Sequence, residues 1–285
     1  MIMDRVTLRS MNTQRADRMP TRQKGFTLIE LLIAMVAGLI LIGAAYKTYV
    51  NHQRSHVTQQ LVVDMQQNAR AAMALMKREI RMMGYDPAAR DGVDNDVNST
   101  IDDESSGAGI VTADGDRIQF TADFNYNSVI DPGNEDITYN LAGLNLLRNG
   151  EIVAYDIEAV GFAYAFDDDH DGVLDESAGG NIIWAIDAAS GDNKLDTRLD
   201  TNDDGLIDAN DTPGGSNLGT AIDNDRIRAV RIWLLARTRQ PIWRHTDNQT
   251  YVVGATHKGP GEPDWDSRRR RVLMTTTVHC RNMGG

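Results

Sequence analysis

From Phe26 to Tyr46 the chain runs 21 residues with one charged side chain, Glu30. A helix needs about 20 apolar residues to cross a bilayer, so this run fixes the first element as a membrane-span candidate. Arg5, Arg9, Arg15, Arg18, Arg22 and Lys24 precede it, against Asp4 and Asp17. That basic flank predicts a cytoplasmic N-terminus, with the rest of the chain on the far side. A secretory signal peptide would have a shorter apolar core and a small-residue cleavage site. Here the run passes without a break into a helical pattern. A plain single-span anchor would explain everything except Glu30, because a carboxylate at that depth is costly and usually has a partner or a role.

The stretch KGFTLIELLIAM, residues 24–35, resembles the type III signal of type IV prepilins and pseudopilins. The resemblance implies that a prepilin peptidase cuts between Gly25 and Phe26 on the cytoplasmic side. Phe26 would become the N-methylated terminus, and Glu30 the fifth mature residue. It also implies a partner for the Glu30 carboxylate, the terminal amine of a neighbouring subunit in the assembled fibre. The leader is long for this family, and Met1, Met3, Met11 and Met19 are all candidate starts; from Met19 it reads MPTRQKG. Where many major pilins have a kinking proline this chain has Lys47, so a straighter helix is expected.

The helical pattern continues beyond the span. Val57, Leu61, Met65, Ala69, Ala72, Met76, Ile80 and Met83 recur at spacings of three and four, with Gln59, Gln66, Arg70, Lys77 and Arg81 opposite. That is one apolar stripe on an amphipathic helix. Gly84 suits a C-cap, and Pro87 follows it. A helix from Phe26 to Met83 would be on the order of 87 Å long. His52 and His56 lie four apart, but without a third ligand they read as polar residues on a helix surface.

After residue 85 short alternating runs replace the helical period. Asp116–Phe124 places Ile118, Phe120 and Ala122 on one face. Asp136–Leu141 and Leu144–Arg148 flank a turn at Ala142-Gly143, and Asn149-Gly150 is a type I′ hairpin signal. The strand after that turn is expected to be long, with Val160, Phe162, Tyr164 and Phe166 alternating, and Asn181–Ile186 is a shorter one. Ile227–Leu235 is apolar on both faces, the mark of a central strand. Tyr251–Gly254 and Arg271–His279 complete the set. One long helix followed by antiparallel strands predicts an α+β fold, and the resemblance implies a pilin-like one, with the helix packed on an antiparallel sheet and acidic loops inserted. The expected divisions are a leader at 1–25, a transmembrane and assembly half-helix at 26–50, an amphipathic half at 51–84 and a β-rich head at 85–285.

Charge is unevenly placed. Residues 1–85 carry a net +7, residues 86–225 a net −27 and residues 226–285 a net +8. An acidic block of this size repels phosphates, so no nucleic-acid partner is expected, and it needs counter-charge of its own. Two stretches have the spacing to hold a hard cation. In DTNDDGLIDAND, the side chains of Asp200, Asn202 and Asp204, the Leu206 carbonyl, and Asp208 and Asp211 could supply oxygens around a turn at Gly205. In DDDHDGVLDES the set is Asp167, Asp169, Asp171, the Val173 carbonyl and Asp175; its twelfth position is Ala178, with Glu176 as a substitute. A weaker third set is Asp94, Asp96, Asn98, Thr100 and Asp102, without the central glycine. Asp192, Asp196 and Asp223 could add oxygens from neighbouring turns. The first stretch resembles dockerin or thrombospondin-type calcium loops. All-oxygen sets without His or Cys select Ca2+ over zinc or copper, and the expected cation is structural. Solvated acidic turns are the plain alternative.

A single cysteine, Cys280, excludes an intrachain disulfide and suits a small buried strand residue. Trp233, Trp243 and Trp265 read as core or interface, and Arg268–Arg271 as counter-charge to the loops, a partner surface or a solvated turn. No GxSxG, HExxH or phosphate-loop motif occurs, so an enzyme is not expected. The signal, the strand IEAVGFAYAFD and the strand IRAVRIWLLART together resemble PilW-type minor pilins. The resemblance implies a minor pilin that starts or assists assembly of a type IV pilus. It would sit first in the inner membrane with a periplasmic head, then enter the pilus. Implied partners are other minor and major pilins, the prepilin peptidase and the inner-membrane assembly platform. The competing readings are a J-like minor pseudopilin of type II secretion and a pilus-tip adhesin.

Overall fold

The computed structural model describes residues 25–86, 108–127, 129–189 and 192–283. The basic leader before Gly25, Pro87 and the weak third acidic set at 94–102 lie outside these residues. Contacts divide the chain into two units at the Gln53/Arg54 junction. The first unit holds the apolar part of the helix; the second holds its amphipathic part and every strand.

Helix α1 spans Leu28–Arg81, 54 residues. Its start is capped locally. The Thr27 hydroxyl accepts the Glu30 N–H at 3.3 Å, and the Thr27 carbonyl accepts the Leu31 N–H at 3.2 Å. Threonine followed three residues later by glutamate is the order of a capping box. Glu30 also lies in the first turn, where the helix dipole favours negative charge. Within the first unit the apolar side chains from Leu28 to Ile42 are largely exposed. In the second unit Met65, Ala69, Ala72, Met73, Met76 and Ile80 are buried. The expected stripe began earlier, but Val57 is exposed and Leu61 only half-buried; Met73, not assigned to the stripe, joins the core. Gly84 ends the helix region at φ +71°, where an added Cβ would strike Met283 Sδ at 2.8 Å.

The strands form three antiparallel sheets rather than one. The first has five strands in chain order: β1 (Ile110–Ala113), β2 (Ile118–Thr121), β3 (Asp136–Ala142), β4 (Asn145–Arg148) and β5 (Glu151–Ala154). Asn149 and Gly150 adopt φ 51° and 82° between β4 and β5, as a type I′ hairpin requires. The strand after this turn is therefore the short β5; the long apolar strand comes next, after a second turn. That strand is β6 (Ile157–Phe166). It joins β7 (Ala185–Ile186), β8 (Lys194–Arg198), β9 (Ser216–Asp223), β10 (Ile227–Arg237) and β13 (Arg271–His279) in a sheet ordered β13-β10-β6-β7-β8-β9. β11 (Tyr251–Val253) and β12 (Thr256–Lys258) make a separate hairpin. β10 is interior, paired with β13 on one side and β6 on the other, and its two-sided apolar pattern follows from that position.

Helix and sheets share one core containing Met76, Ile80, Phe120, Tyr139, Phe162 and Leu234. A polar clamp ties α1 to the first sheet. Glu79 Oε2 accepts the Tyr139 hydroxyl at 2.5 Å and the Arg148 Nε–H at 2.9 Å. Burial, and then the Glu79 carboxylate, raise the Tyr139 phenol well above its usual range. Gly161 on β6 lets the β11 hairpin close in, since a Cβ there would meet the Val253 carbonyl at 2.8 Å.

Candidate functional site

The acidic loops leave the same end of the six-stranded sheet. The first follows β6 directly, and Asp167 N–H bonds the Arg226 carbonyl at the start of β10. The second follows β8. The two are built alike, position by position. In the first, Asp167 accepts the Gly172 N–H at 3.1 Å, Asp169 accepts Asp171 N–H at 3.1 Å, and Asp171 accepts Val173 N–H at 2.8 Å. In the second, Asp200 accepts the Gly205 N–H at 2.9 Å, Asn202 accepts Asp204 N–H at 3.2 Å, and Asp204 accepts Leu206 N–H at 2.9 Å. The fourth residue of each, His170 or Asp203, has φ 62°, and the glycines have φ 83° and 85°. These bonds curl alternate side-chain oxygens inward, the arrangement a hard cation needs.

Their electrostatics differ. Oxygens of Asp167, Asp169 and Asp171 all lie within 4.8 Å of one another, a cluster that could bind a metal ion. Asp167 is 3% exposed, and its Oδ1 has no hydrogen-bond partner. The nearest cation to its carboxylate is Arg228, at 3.9 Å. Asp175, the last of the expected ligands in this loop, accepts Asp168 N–H at 3.0 Å, and burial followed by the facing Asp169, Asp168 and Asp167 charges raises its carboxyl. The backbone of Glu176 pairs with Ile182 in an isolated antiparallel β-bridge.

In the second loop the carboxylates already have protein partners. Both Asp200 oxygens accept backbone N–H groups, from Asp204 and Gly205, and the Arg198 guanidinium is 3.8 Å away. Asp211 accepts Thr201 N–H at 2.6 Å and Asp208 N–H at 2.9 Å. Asp208 accepts Asn210 N–H at 2.7 Å. Asp203 takes hydrogen bonds from Ser177, Arg198 and Asn181, in that order of effect, which hold its carboxyl down at about 2. Ser177 and Asn181 follow the first loop, so Asp203 ties the loops together. Neither Ser177 nor Asn181 had a sequence signal; they are ordinary loop residues whose role depends on a partner 22 or more positions away.

The flanking acids sit elsewhere. Asp192 accepts Lys194 N–H at 3.1 Å, Asp196 accepts Ala188 N–H at 3.0 Å, and Asp223 pairs with Lys194 Nζ at 2.7 Å. Asp192 and Asp196 instead surround Asp187, which is bridged to Asp114. Burial, then Asp192, Asp114 and Asp196, push the Asp187 carboxyl up to about 6. Arg271 answers none of the loops. Its buried guanidinium pairs with Glu158 and, at 3.3 Å, with Asp247, and stacks 3.4 Å from the centre of the Trp265 ring. Cys280 is buried, and that burial pushes its thiol up to about 12, so it is inert at neutral pH. Trp233 is core, whereas Trp243 is exposed.

At the N-terminus, Gly25 and Phe26 are exposed ahead of the helix, and Glu30 lies on the exposed first turn. The Thr27 cap was legible in principle from the Thr-x-x-Glu spacing.

Two family models match the chain. A prokaryotic N-terminal methylation motif covers residues 20–46, and type IV pilus-assembly protein W covers residues 138–282. A solved type IV-like pilin from Thermus thermophilus aligns at 15% identity and a TM-score of 0.40, over 79% of this chain and 100% of that one. No curated protein matches the chain.

Proposed function

The chain belongs to the type IV pilus-assembly protein W family, and from that premise we propose a minor pilin that helps initiate or assemble a type IV pilus. It is cut between Gly25 and Phe26 by a prepilin peptidase and held in the inner membrane by the first half of α1. Its head faces the periplasm until an assembly platform moves the subunit into the fibre. The observation that carries this reading is the pairing, in one chain, of the methylation motif at 20–46 with a W-family head. The helix is long and apolar enough to cross a membrane. The same apolar surface could instead pack against the corresponding helices of other minor and major pilins. Glu30 then has two roles. Locally it follows Thr27 in the first helical turn; in the fibre it meets the amine of a neighbouring Phe26. The family match supports the pilus over a type II secretion pseudopilin.

Deletion of the gene, with surface pili counted, tests the role. Pili should be lost, restored by the wild type and not restored by Glu30→Ala. Unchanged piliation in the deletion strain sinks the reading, as does a cellular protein that keeps its basic leader beside a working prepilin peptidase.

The head is stabilised by Ca2+ in this proposal. The first loop would hold the ion through Asp167, Asp169, Asp171, the Val173 carbonyl and Asp175. The second would use Asp200, Asn202, Asp204, the Leu206 carbonyl, Asp208 and Asp211. Support comes from the matched backbone of the two loops, the close Asp167–Asp169–Asp171 oxygens and the unpartnered Asp167 Oδ1. The ion is structural, since binding the folded state alone stabilises it.

A further inference from the structure

Trp243 is 66% exposed, while Trp184 and Trp233 are almost fully buried. Two guanidinium groups sit by its ring, Arg54 at 5.1 Å and Arg244 at 5.8 Å from the centroid. The surface is held firmly from below. Thr238 and Ile242 N–H groups bond the Arg270 and Arg268 carbonyls, each at 2.8 Å. Asp247 N–H bonds the Ser267 carbonyl at 2.7 Å. Some charge here is already answered, because Asp266 pairs with Arg268 and Arg269, and Asp156 with Arg239. Among the described residues no carboxylate pairs with Arg54 or Arg244, which leaves two cations beside an exposed indole.

An indole with an apolar body and a polar N–H, flanked by two arginines, suits the headgroup layer of a bilayer. Anionic lipid attracts each nearby arginine. Arg54 is eight residues beyond Tyr46, where the apolar run ends. Eight residues reach at most about 28 Å even when fully extended, so the face is tethered within reach of the surface. The acidic loops are kept away from it. β10 begins beside Phe166, where the first loop starts, and ends at Arg237, one residue before Thr238. Its 11 residues separate the two ends by roughly 33 Å, about four Debye lengths in physiological salt. Repulsion between the loops and an anionic surface is then largely screened.

We propose that the Trp243 face, with Arg54 and Arg244, docks on anionic phospholipid headgroups while the protein is anchored. The inference rests on the membrane-anchored reading above. Its test uses the full chain reconstituted into vesicles of phosphatidylcholine, with or without phosphatidylglycerol, containing a lipid spin-labelled at the headgroup. The Trp243 signal is the difference between wild type and Trp243→Tyr. Quenching of that signal should be strong with phosphatidylglycerol, weak without it, and reduced by salt. Each of Arg54→Ala and Arg244→Ala should lower the docked-to-undocked ratio about fivefold, or about 1 kcal/mol, with the thermal melt unchanged. Equal quenching in both lipids overturns the proposal, and so does an unquenched Trp243 in protein that sediments with vesicles. Protein that sediments with neither vesicle overturns the anchored reading and the docking together.

Discussion

The two acidic loops share a backbone and differ in what satisfies their carboxylates. The loop after β8 is largely neutralised from within, with Arg198 3.8 Å from Asp200 and bonded to Asp203, and backbone N–H groups on both Asp200 oxygens. The loop after β6 has an orphan oxygen on Asp167 and three acids gathered within 4.8 Å. Spacing alone favours the second loop, because it has a complete twelve-residue ligand set. Geometry favours the first as the place where an added cation removes more strain. A calcium-like sequence pattern thus accompanies the same backbone curl in both loops, while neighbouring side chains decide how far the carboxylates are already compensated.

The largest expected effect is that of the cation itself. Calcium at about 100 times its Kd should stabilise the head by about 2.7 kcal/mol, read as a rise in Tm that chelator reverses. Asp169→Ala should remove most of that rise and Asp204→Ala a smaller part. A melt indifferent to both calcium and chelator breaks the comparison at its root.

Next is the calcium-free cost of losing each first aspartate. Asp200→Ala strips an acceptor from the Asp204 and Gly205 N–H groups and should cost about 2 kcal/mol by denaturant titration. Asp167→Ala should cost less, because the same change also removes an unpaired buried oxygen. Equal losses would show that the loops are satisfied alike.

Asp187, outside both loops, separates bare repulsion from cation binding. Its folded carboxyl titrates at about 6, above the unfolded value near 3.8, so the folded state binds the extra proton between those values. Stability should therefore fall as pH rises from about 4 to 6. Asp187→Asn should flatten that slope and add on the order of 1 kcal/mol at pH 7, with the calcium response intact. A pH profile unchanged by the substitution would reject the assignment.

The smallest effect tests the tie between the loops. Ser177→Ala removes one donor to Asp203 and should cost about 1 kcal/mol or less, while faster amide exchange spreads from 177–181 into 203–205. Exchange confined to the first segment would mean that the loops are independent.

Much of the fold follows from local patterns. The apolar run, the stripe from Met65 to Met83, the Asn149-Gly150 turn and the interior character of β10 are all periodicity or turn chemistry. β1, β5, β8, β9 and β12 escaped notice because they are short or polar: β8 reads KLDTR and β9 SNLGTAID. Such strands exist through their neighbours, not their own propensity. The division into separate sheets was hidden for the same reason, since alternation marks which face is inward but not which sheet receives it. At the candidate site, ligand spacing was legible and charge compensation was not. Arg198, Ser177 and Asn181 reach Asp203 only after folding, and Asp192 and Asp196 turn out to surround Asp187.

The contact of Glu79 with Tyr139 and Arg148 has a mechanical consequence. Tension carried along α1 into the head meets this clamp in shear, with a charge-assisted hydrogen bond on the arginine side and a buried phenol on the other. Hydrophobic packing alone would let a smooth helix creep past a sheet. An acid seated between a tyrosine and an arginine gives the joint a fixed register, so pulling on the stalk moves the five-stranded sheet with it.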